Sequence, residues 1–397
     1  MVDDRTAGRR PIVRQVGGYD VETKHALDVC PGAALKHGPL PSGAMIELAD
    51  AWGPVLELWE GFAADNRLRY NASSGGAATA IAETGLRSGR WNGVLHIRSR
   101  PDAPLLNETV RSTSSEELRA ATGSRYAPAS PGDRLDLIRE ADGCSLFIGK
   151  PCDVAGVASL ARIDLQLREK LAGTVAIFCA GTPTLQGTLE MLERMGIRDP
   201  ATVCDLRYRG NGWPGHAAAT VKTPDGEDEH RLTYDESWGD VLQRHRQWRC
   251  YVCADHTGEF ADIAVGDPWY REPSANELGR SLIVIRTERG RQLFAEAVNS
   301  GAITAFPVPW DRLPASQPGL RKVRGAVWGR ITVSRLLGIA TPVYRGLPTF
   351  RSWKRELSTW EKLQSTLGLL RRVRRRGLWK RHPVKELTEG NQGSIDL

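Results

Sequence analysis

Four of the seven cysteines in this 397-residue sequence have positions that suit ligation of a metal centre. Cys152 lies in the turn GKPCD, directly after the strand-like run CSLFIG, and Cys179 ends the next strand-like run, TVAIFC, 27 residues later. Cys250 and Cys253 form a C-x2-C pair, a spacing that zinc sites and redox dithiols also use. If the two strands are parallel neighbours, Cys152 and Cys179 emerge at the same carboxyl edge of the sheet. Together the four thiols match the number that a tetrahedral zinc ion or an iron–sulfur cluster requires.

The other three cysteines carry a weaker signal. Cys144 and Cys204 lie within strand-like runs without turn residues beside them, and we interpret them as small buried hydrophobic residues. Cys30 is the only candidate ligand or nucleophile that we identify in residues 1–67. The odd number of cysteines, together with an N-terminus that lacks the apolar segment of a secretion signal, predicts reduced thiols and a cytoplasmic location.

Two turns rich in glycine and serine are candidates for holding a phosphate group. SSGG precedes an alanine-rich, helix-like run, and small residues at a helix start allow a pyrophosphate to approach the free N–H groups there. GSRY adds a hydroxyl, a guanidinium and an aromatic ring. Neither turn is a G-x-G-x-x-G or Walker loop. The candidate residues of the two turns are Ser73, Ser74, Gly75, Gly76, Gly123, Ser124, Arg125 and Tyr126.

Two further turns add candidate cofactor contacts. In AGTPT, threonine followed by proline is typical of a helix N-cap with proline at the first helical position, which predicts that a helix begins at Pro183. The arginines of the glycine-rich turn RYRGNGWPG either bind an anionic cofactor or substrate or are solvated at the surface. The candidate residues of these turns are Gly181, Thr182, Arg207, Arg209 and Asn211.

A regular alternation of strand-like and helix-like runs between residues 134 and 200 positions these turns. Such alternation predicts the α/β class, with a mixed, largely parallel sheet and crossover helices. Three runs between residues 203 and 236, the last two joined by PDGED, predict antiparallel additions. The predicted regions are an N-terminal segment (1–67), an N-terminal module (68–150), a C-terminal module that carries the cysteine cluster (151–310) and a C-terminal extension (311–397).

The net charge of +7 is a property of the C-terminal tail. Residues 351–385 contain twelve Lys or Arg against Glu356 and Glu361, so the rest of the chain is slightly acidic. Because the basic residues lie outside the α/β core, a zinc-bound module that contacts nucleic acid is the least favoured function class. The sequence contains no apolar stretch that approaches the roughly 18 residues of a membrane-spanning helix.

The same tail predicts an amphipathic helix. In RSWKRELSTWEKLQSTLGLLRRVRRRGLWK, apolar residues recur every three or four positions beside a run of arginines. One interpretation is that the apolar stripe docks on its own domain. The other is that the helix contacts an anionic membrane surface or a partner. The stripe residues are Trp353, Trp360, Leu363, Leu367 and Leu370.

Several ordered motifs together resemble one protein family. GKPCDVAG, AIFCAGTPT and CYVCADHTGEFADIAVGDPW resemble the coenzyme F420 hydrogenase/dehydrogenase beta subunit family, and SSGG and GSRY resemble its N-terminal module, over about residues 68–310. The resemblance implies an iron–sulfur flavoprotein that moves electrons between FAD and a deazaflavin, coenzyme F420, or a related acceptor. Some relatives reduce a chlorophyll side chain. The resemblance also implies that one 4Fe-4S cluster is held by Cys152, Cys179, Cys250 and Cys253, and that the two Gly/Ser turns and Lys150 line the flavin site.

The family resemblance also implies chemical roles for two residues. Lys150 is expected near the flavin ring, where its charge favours the anionic reduced form. Asp267, in VGDPW at a strand end, is expected to anchor the site or to transfer a proton. The alternative for Asp267 is a carboxylate that only caps its turn.

The chain departs from the family at its N-terminus. Many members begin with a ferredoxin-like run of cysteines, whereas residues 1–67 retain only Cys30, so a second cluster is not expected. Residues 315–338 and the basic tail resemble members that accompany bacterial polysaccharide biosynthesis enzymes. The predicted function is a cytoplasmic FAD- and iron–sulfur-dependent oxidoreductase that uses a redox partner or a small-molecule acceptor. The alternative is a cofactor-poor accessory protein that docks polysaccharide enzymes at the inner face of the membrane through residues 351–385.

Overall fold

A computed structural model describes residues 2–4, 8–11, 21–274 and 276–380. Its core is an eight-stranded mixed sheet, and smaller sheets lie outside it. The strands are β1 (Val2–Asp4), β2 (Gly8–Arg10), β3 (Ala34–Lys36), β4 (Glu57–Ala63), β5 (Gly93–Ser99), β6 (Asn107–Ser112), β7 (Ser145–Gly149), β8 (Leu171–Ile177), β9 (Val203–Arg207), β10 (His216–Thr223), β11 (Gly226–Thr233), β12 (Ile263–Gly266), β13 (Ser281–Ile285), β14 (Ile303–Pro307) and β15 (Val343–Arg345).

The large sheet has a parallel part between two antiparallel margins. Its strand order is β14–β4–β13–β12–β8–β7–β5–β6. The pairs from β12 to β5 are parallel, whereas β13, β4 and β14 on one side and β6 on the other pair antiparallel. The predicted mixed α/β class is therefore confirmed, and the antiparallel sheet β9–β10–β11 corresponds to the predicted additions.

Helices cover both faces of the large sheet. Leu146 and Phe147 of β7 pack into different core clusters, because successive strand residues point to opposite faces. The α-helices are α1 (Val21–Val29), α2 (Ile46–Trp52), α3 (Asn66–Asn71), α4 (Ala77–Arg87), α5 (Ser115–Ala120), α6 (Asp136–Arg139), α7 (Pro151–Leu160), α8 (Leu165–Lys170), α9 (Leu185–Arg194), α10 (Trp248–Tyr251), α11 (Glu288–Asn299), α12 (Arg312–Ser316), α13 (Pro318–Leu336), α14 (Thr349–Glu356) and α15 (Thr359–Arg376). Residues of α4 and α11 cover the Leu146 face, and residues of α2 and α7 cover the Phe147 face.

The C-terminal extension packs as the helices α13, α14 and α15. The prediction of one continuous helix over the basic tail is wrong, because Ser358 and Glu361 form a capping box that starts α15 after a break at Leu357. Gly329 of α13 allows close approach of Ser365 of α15, since a Cβ at position 329 would lie 2.5 Å from the Ser365 Oγ.

The basic tail is described only up to residue 380, so residues 381–385 of the predicted contact region lie outside the described residues. In the described part of the chain, every helix is too short or too polar to cross a lipid bilayer.

Candidate functional site

A cavity of about 310 Å³ lies at the carboxyl edge of the parallel strands, within the range of roughly 300–1,000 Å³ that is typical of small-molecule sites. Residues at and beyond the ends of β7, β8 and β12 line it, together with the start of α4 and the loop after α5. Open α/β sheets bind ligands at this position, because strand ends and helix N-termini converge there. The candidate residues that line the cavity are Ser73, Ser74, Gly76, Gly123, Ser124, Arg125, Tyr126, Lys150, Cys179, Gly181, Thr182, Arg209 and Asp267.

Three other candidate residues lie behind the cavity wall. Gly75 has a φ of +64° and packs on the backbone of Arg280, where a Cβ would come within 2.6 Å of the Arg280 Cα. Arg207 donates a hydrogen bond to the carbonyl oxygen of Asn71 at 3.0 Å. Asn211 has a φ of +59° and shapes its turn. These residues fix the shape of the wall and do not face the cavity.

The N-terminus of α4 opens into the cavity. Gly76 is its N-cap with a φ of +74°, and the first turn has no side-chain cap. Ala77, Ala78 and Thr79 of that turn line the cavity. Because a helix N-terminus carries free N–H donors and a partial positive charge, this wall suits an anionic group such as a phosphate.

The serines of the SSGG turn join separate parts of the wall. The Ser73 hydroxyl donates to the carbonyl oxygen of Arg209 at 3.0 Å and accepts the backbone N–H of Ser124 at 2.7 Å. The Ser74 hydroxyl donates to the carbonyl oxygen of Arg280 at 2.9 Å. The two predicted phosphate-binding turns are therefore adjacent in space, and these hydroxyls hold them together.

Arg125 and Tyr126 support the wall from the loop after α5. The Arg125 guanidinium donates to the Asn107 side chain at 2.7 Å and to the carbonyl oxygen of Leu206 at 2.6 Å, and burial lowers its pKa. The Tyr126 ring packs against Trp238, with 5.0 Å between ring centroids. The guanidinium of Arg125 is thus used in hydrogen bonds within the protein, whereas the rings of Tyr126 and Trp238 form part of the cavity surface.

Lys150 is the N-cap of α7 and carries its charge beside Asp153. Its Nζ donates to the Asp153 carboxylate at 2.6 Å, and its backbone N–H donates to the same oxygen at 3.0 Å. Burial alone would lower the pKa of Lys150, but Asp153 and the neighbouring thiols outweigh burial and hold the pKa above its ordinary value. The cavity lining therefore contains the Lys150–Asp153 ion pair.

The four predicted ligand cysteines converge beside this lysine. Cys152 lies in the first turn of α7, and Cys179 follows β8. Burial raises the pKa of Cys152, raises that of Cys179 to about 12 and raises that of Cys253. Repulsion between neighbouring thiolates adds to each of these shifts, and Cys250 contributes to the shifts of Cys179 and Cys253. The four cysteines are therefore close enough to influence one another electrostatically; Cys253 is buried, and the other three are partly buried.

No three His, Cys, Asp or Glu side chains of the described residues are arranged to hold a single metal ion. A single zinc ion requires each ligand sulfur to lie about 2.3 Å from the metal. In a 4Fe-4S cluster each of the four thiolates binds a different iron atom. The four sulfur atoms therefore lie further apart around a cluster than around a single metal ion. The donor set therefore fits a cluster in number and chemistry.

The turn after β8 differs from the sequence prediction. The predicted N-cap at Thr182 is wrong, because α9 begins at Leu185 with Thr184 as its N-cap. The backbone N–H of Thr184 donates to the carbonyl oxygen of His245, and that of Gln247 donates to the carbonyl oxygen of Thr182, each at 3.0 Å. This extended pairing keeps residues 182–184 out of the helix and joins them to the segment before Cys250.

Four guanidinium groups surround the Tyr251 ring, inside the C-x2-C pair. Their central carbons lie 4.6 to 5.6 Å from the ring centroid. Within the part of the chain that the structure describes, none of the four pairs with a carboxylate. Burial, and then repulsion from neighbouring arginines, lowers the pKa of Arg330 to about 10. The four residues are Arg246, Arg330, Arg372 and Arg376.

Asp267 fixes the far wall through Arg209. The Arg209 guanidinium donates to both Asp267 oxygens, at 2.8 and 2.6 Å, and the Trp213 indole N–H donates to one of them at 2.8 Å. Burial lowers the pKa of Arg209, but Asp267 outweighs this effect and raises it. Of the roles considered for Asp267, these contacts match that of an anchor.

Sequence reasoning missed the residues that reach the site from distant segments. Tyr234, Trp238 and Trp269 supply aromatic surface, and Gln317 lines the cavity from the C-terminal extension. The Gln317 side chain donates to the carbonyl oxygen of Asp267 at 2.8 Å. Trp269 ends the VGDPW motif, but no local motif marks Tyr234, Trp238, Gln317 or the arginines around Tyr251, so only their packing identifies them.

Comparison with known proteins matches most of this core to one family, the beta subunit of coenzyme F420 hydrogenase/dehydrogenase. The model for the N-terminal part of that beta subunit matches residues 58–135. The model for its C terminus matches residues 145–309. The two matches together span more than half of the chain.

Individual relatives have low sequence identity over long alignments. The coenzyme F420 hydrogenase subunit beta of Methanosarcina barkeri is 23% identical over 250 residues, which are 62% of this chain and 79% of that protein. The chloroplastic 7-hydroxymethyl chlorophyll a reductase of Oryza sativa subsp. japonica is 27% identical over 229 residues, 55% of this chain and 45% of that protein.

A solved structure has the same fold. One chain of the F420-reducing NiFe hydrogenase complex from Methanosarcina barkeri aligns with a TM-score of 0.54 and 21% identity, covering 71% of this chain and 94% of that chain.

Proposed function

The chain belongs to the coenzyme F420 hydrogenase/dehydrogenase beta subunit family and is an oxidoreductase of that type; from this premise we propose that it transfers electrons between FAD, one 4Fe-4S cluster and a deazaflavin or related acceptor. FAD occupies the cavity at the carboxyl edge of the sheet. The cluster is held by Cys152, Cys179, Cys250 and Cys253.

One observation carries the proposal: Cys179 belongs both to the cavity lining and to the group of four thiols. A cofactor in the cavity and a cluster on the thiols would therefore be neighbours. Bound FAD can take two electrons as a hydride and release them singly, while an iron–sulfur cluster passes one electron at a time. Proximity of the two is what such an exchange requires.

The residues of this chain have separate tasks in binding the flavin. The open N-terminus of α4 supplies N–H donors and a positive field for the phosphates. Lys150 keeps a positive charge in the cavity and so favours an anionic reduced ring. Arg209, fixed by Asp267, forms part of the far wall with the Tyr234 and Trp269 rings, which lie 5.0 and 5.5 Å from its guanidinium carbon.

The thiols fit a cluster for a chemical reason. Burial raises the pKa values of Cys152, Cys179 and Cys253, and metal binding releases thiol protons because the thiolate is the ligand. The charges that remain are then opposed by Lys150, which already interacts with Cys152 and Cys179. A cationic side chain near the sulfur atoms stabilises the bound, anionic form of the group.

The acceptor and the partner follow from the relatives. One relative is named as a beta subunit of a coenzyme F420 hydrogenase and another as a chlorophyll a reductase, so coenzyme F420 is the first acceptor to test and a different reducible ring is the second. The similar hydrogenase chain is part of a larger complex, which supports a redox partner for this chain too.

The test is the cofactor content of the protein purified without oxygen. We expect flavin absorption, with about four iron and four sulfide per chain. Cys250→Ser should lose the iron and sulfide. Cys204→Ser is the matched control, because its sulfur contacts the Thr220 carbonyl oxygen at 3.4 Å in the separate β9–β10–β11 sheet. Full iron and sulfide in Cys250→Ser would overturn the ligand assignment.

The second candidate is the cofactor-poor accessory protein, which keeps the family scaffold without its redox centres. A protein that contains neither flavin nor iron after attempted reconstitution, and that reduces no deazaflavin, would favour it. Such a protein would use the exposed apolar residues of α15, among them Trp360 and Leu367.

A further inference from the structure

Helix α15 has an inward side and an outward side. Ser365, Leu369 and Val373 are buried, and Ser365 packs on Gly329 of α13. Arg372 and Arg376 lie beside the Tyr251 ring, at 4.6 and 5.1 Å. These residues follow one another at intervals of three and four positions, so they share one inward side of the helix and leave the opposite side outside.

The outward side is apolar and exposed. Trp360, Leu363, Leu367 and Leu370 recur at intervals of three and four residues, which places them on one side of the helix. Their exposed fractions are 67%, 44%, 62% and 46%. The sequence interpretation in which this stripe docks on its own domain is therefore wrong for α15. Only Trp353, on α14, is turned inward, where its indole N–H donates to the Ser365 hydroxyl at 3.0 Å.

Exposed cations continue this face toward the end of the helix. Arg371, Arg374 and Arg375 are exposed, and in the described part of the chain none of the three forms an ion pair. A contiguous apolar stripe on a soluble protein marks an interaction site. A stripe bordered by arginines has the chemistry of a helix that lies in a membrane interface.

We propose that α15 binds the surface of an anionic lipid bilayer through Trp360, Leu363, Leu367 and Leu370, with the three exposed arginines on the lipid phosphates. The proposal does not rest on the redox function. A second copy of the chain is a poorer occupant, because the apolar stripe of that copy offers no anionic group to the three arginines. An anionic bilayer satisfies both the apolar and the cationic part of the face.

Co-sedimentation of the full chain with lipid vesicles tests the proposal. We expect binding to vesicles of phosphatidylcholine mixed with phosphatidylglycerol, and much weaker binding to phosphatidylcholine alone. Leu363→Gln with Leu367→Gln should abolish binding, because both changes remove apolar area from an exposed face while keeping good helix formers. Arg371→Gln, Arg374→Gln and Arg375→Gln together should weaken binding roughly a hundredfold.

Ile163→Gln with Leu165→Gln is the matched control. These two residues are 64% and 57% exposed. Ile163 precedes α8 and Leu165 begins it; α8 packs on α6 and β8, whereas α15 packs on α13. The control should bind vesicles like the unchanged protein. Circular dichroism and thermal unfolding must show that all variants remain folded.

Three outcomes would overturn the proposal. One is the absence of binding to either vesicle type. Another is binding that the α15 variants leave unchanged. The third is a change of oligomeric state, without vesicle binding, when Leu363 and Leu367 are replaced, which would assign the face to a second copy of the chain.

Discussion

The backbone N–H of Thr182 donates a hydrogen bond to the sulfur of Cys250 across 3.3 Å. This contact joins the turn after β8 to the C-x2-C segment, 68 residues further along the chain. Gly181 permits it, because a Cβ at that position would lie 3.2 Å from the Cys250 Cβ and 2.6 Å from the Arg246 Cδ. The two halves of the thiol group meet because position 181 has no side chain.

Gly181→Ala should therefore damage both stability and cluster binding. Position 181 has a φ of +121°, a conformation that costs a residue with a Cβ about 1–3 kcal/mol. We expect a loss of that size in the free energy of unfolding, measured in urea, and a lower iron content. Gly132→Ala is the control, since no atom lies within 4 Å of a Cβ there. Equal iron content in both variants would contradict the role of Gly181.

Asp267→Asn should destabilise the cavity wall. Arg209 is only 3% exposed, and its partner Asp267 is 16% exposed, so the change leaves a buried guanidinium without its counter-charge. Breaking such a pair costs about 3–5 kcal/mol. We expect a lower free energy of unfolding and weaker flavin binding, measured by denaturation and by flavin fluorescence.

A surface pair provides the comparison for Asp267. Arg98 and Glu108 form an ion pair at 2.8 Å in which both side chains are about a third exposed or more. Glu108→Gln should cost at most about 1 kcal/mol. If the two variants were equally stable, Asp267 would be only a turn residue.

Arg372→Gln with Arg376→Gln should lower the reduction potential of the proposed cluster. Both guanidinium groups lie beside Tyr251, and Arg376 interacts with Cys250. A nearby positive charge stabilises the more negative, reduced state, so its removal shifts the potential downward by tens of millivolts. An EPR-monitored redox titration measures the shift. Arg374→Gln, an exposed change on the same helix, should leave the potential unchanged, and an equal shift there would argue for a nonspecific effect.

Glu259 should make the protein sensitive to acid. Burial alone would raise its pKa, but Arg324 and then His37 outweigh burial and hold the pKa at about 2, against an ordinary value of 4.5. The folded state therefore gains stability from the ionised carboxylate above about pH 4.5. This gain, roughly 3 kcal/mol, is lost as the pH falls toward about 2.

Glu259→Gln should remove that part of the pH dependence. The comparison is the free energy of unfolding of the two proteins between about pH 5 and pH 3, and the slope should be smaller in the variant because its amide does not titrate. Parallel slopes would show that Glu259 titrates alike in the folded and unfolded chain.

The sequence predicted the α/β class, and for the same reason it predicted that Cys152 and Cys179 follow neighbouring parallel strands at one edge of the sheet. Alternating strands and helices force parallel pairing, and parallel strands end at one edge. It also located the SSGG and GSRY turns, which the Ser73 hydroxyl joins. It mispredicted the start of α9 at Pro183, because threonine followed by proline also suits the extended pairing that residues 182–184 make with residues 245–247.

What the sequence determined by itself was local: which runs form strands and helices, which turns carry thiols, and that the tail is both apolar and basic. What only the tertiary structure decided was how distant segments meet. Arg246, Arg330 and Arg372 converge on Tyr251 through the packing of α13 and α15, which no spacing encodes. Periodicity showed that α15 has an apolar stripe, but Gly329 and Ser365 determined that the opposite face packs inward, because two small residues allow the helices to approach closely.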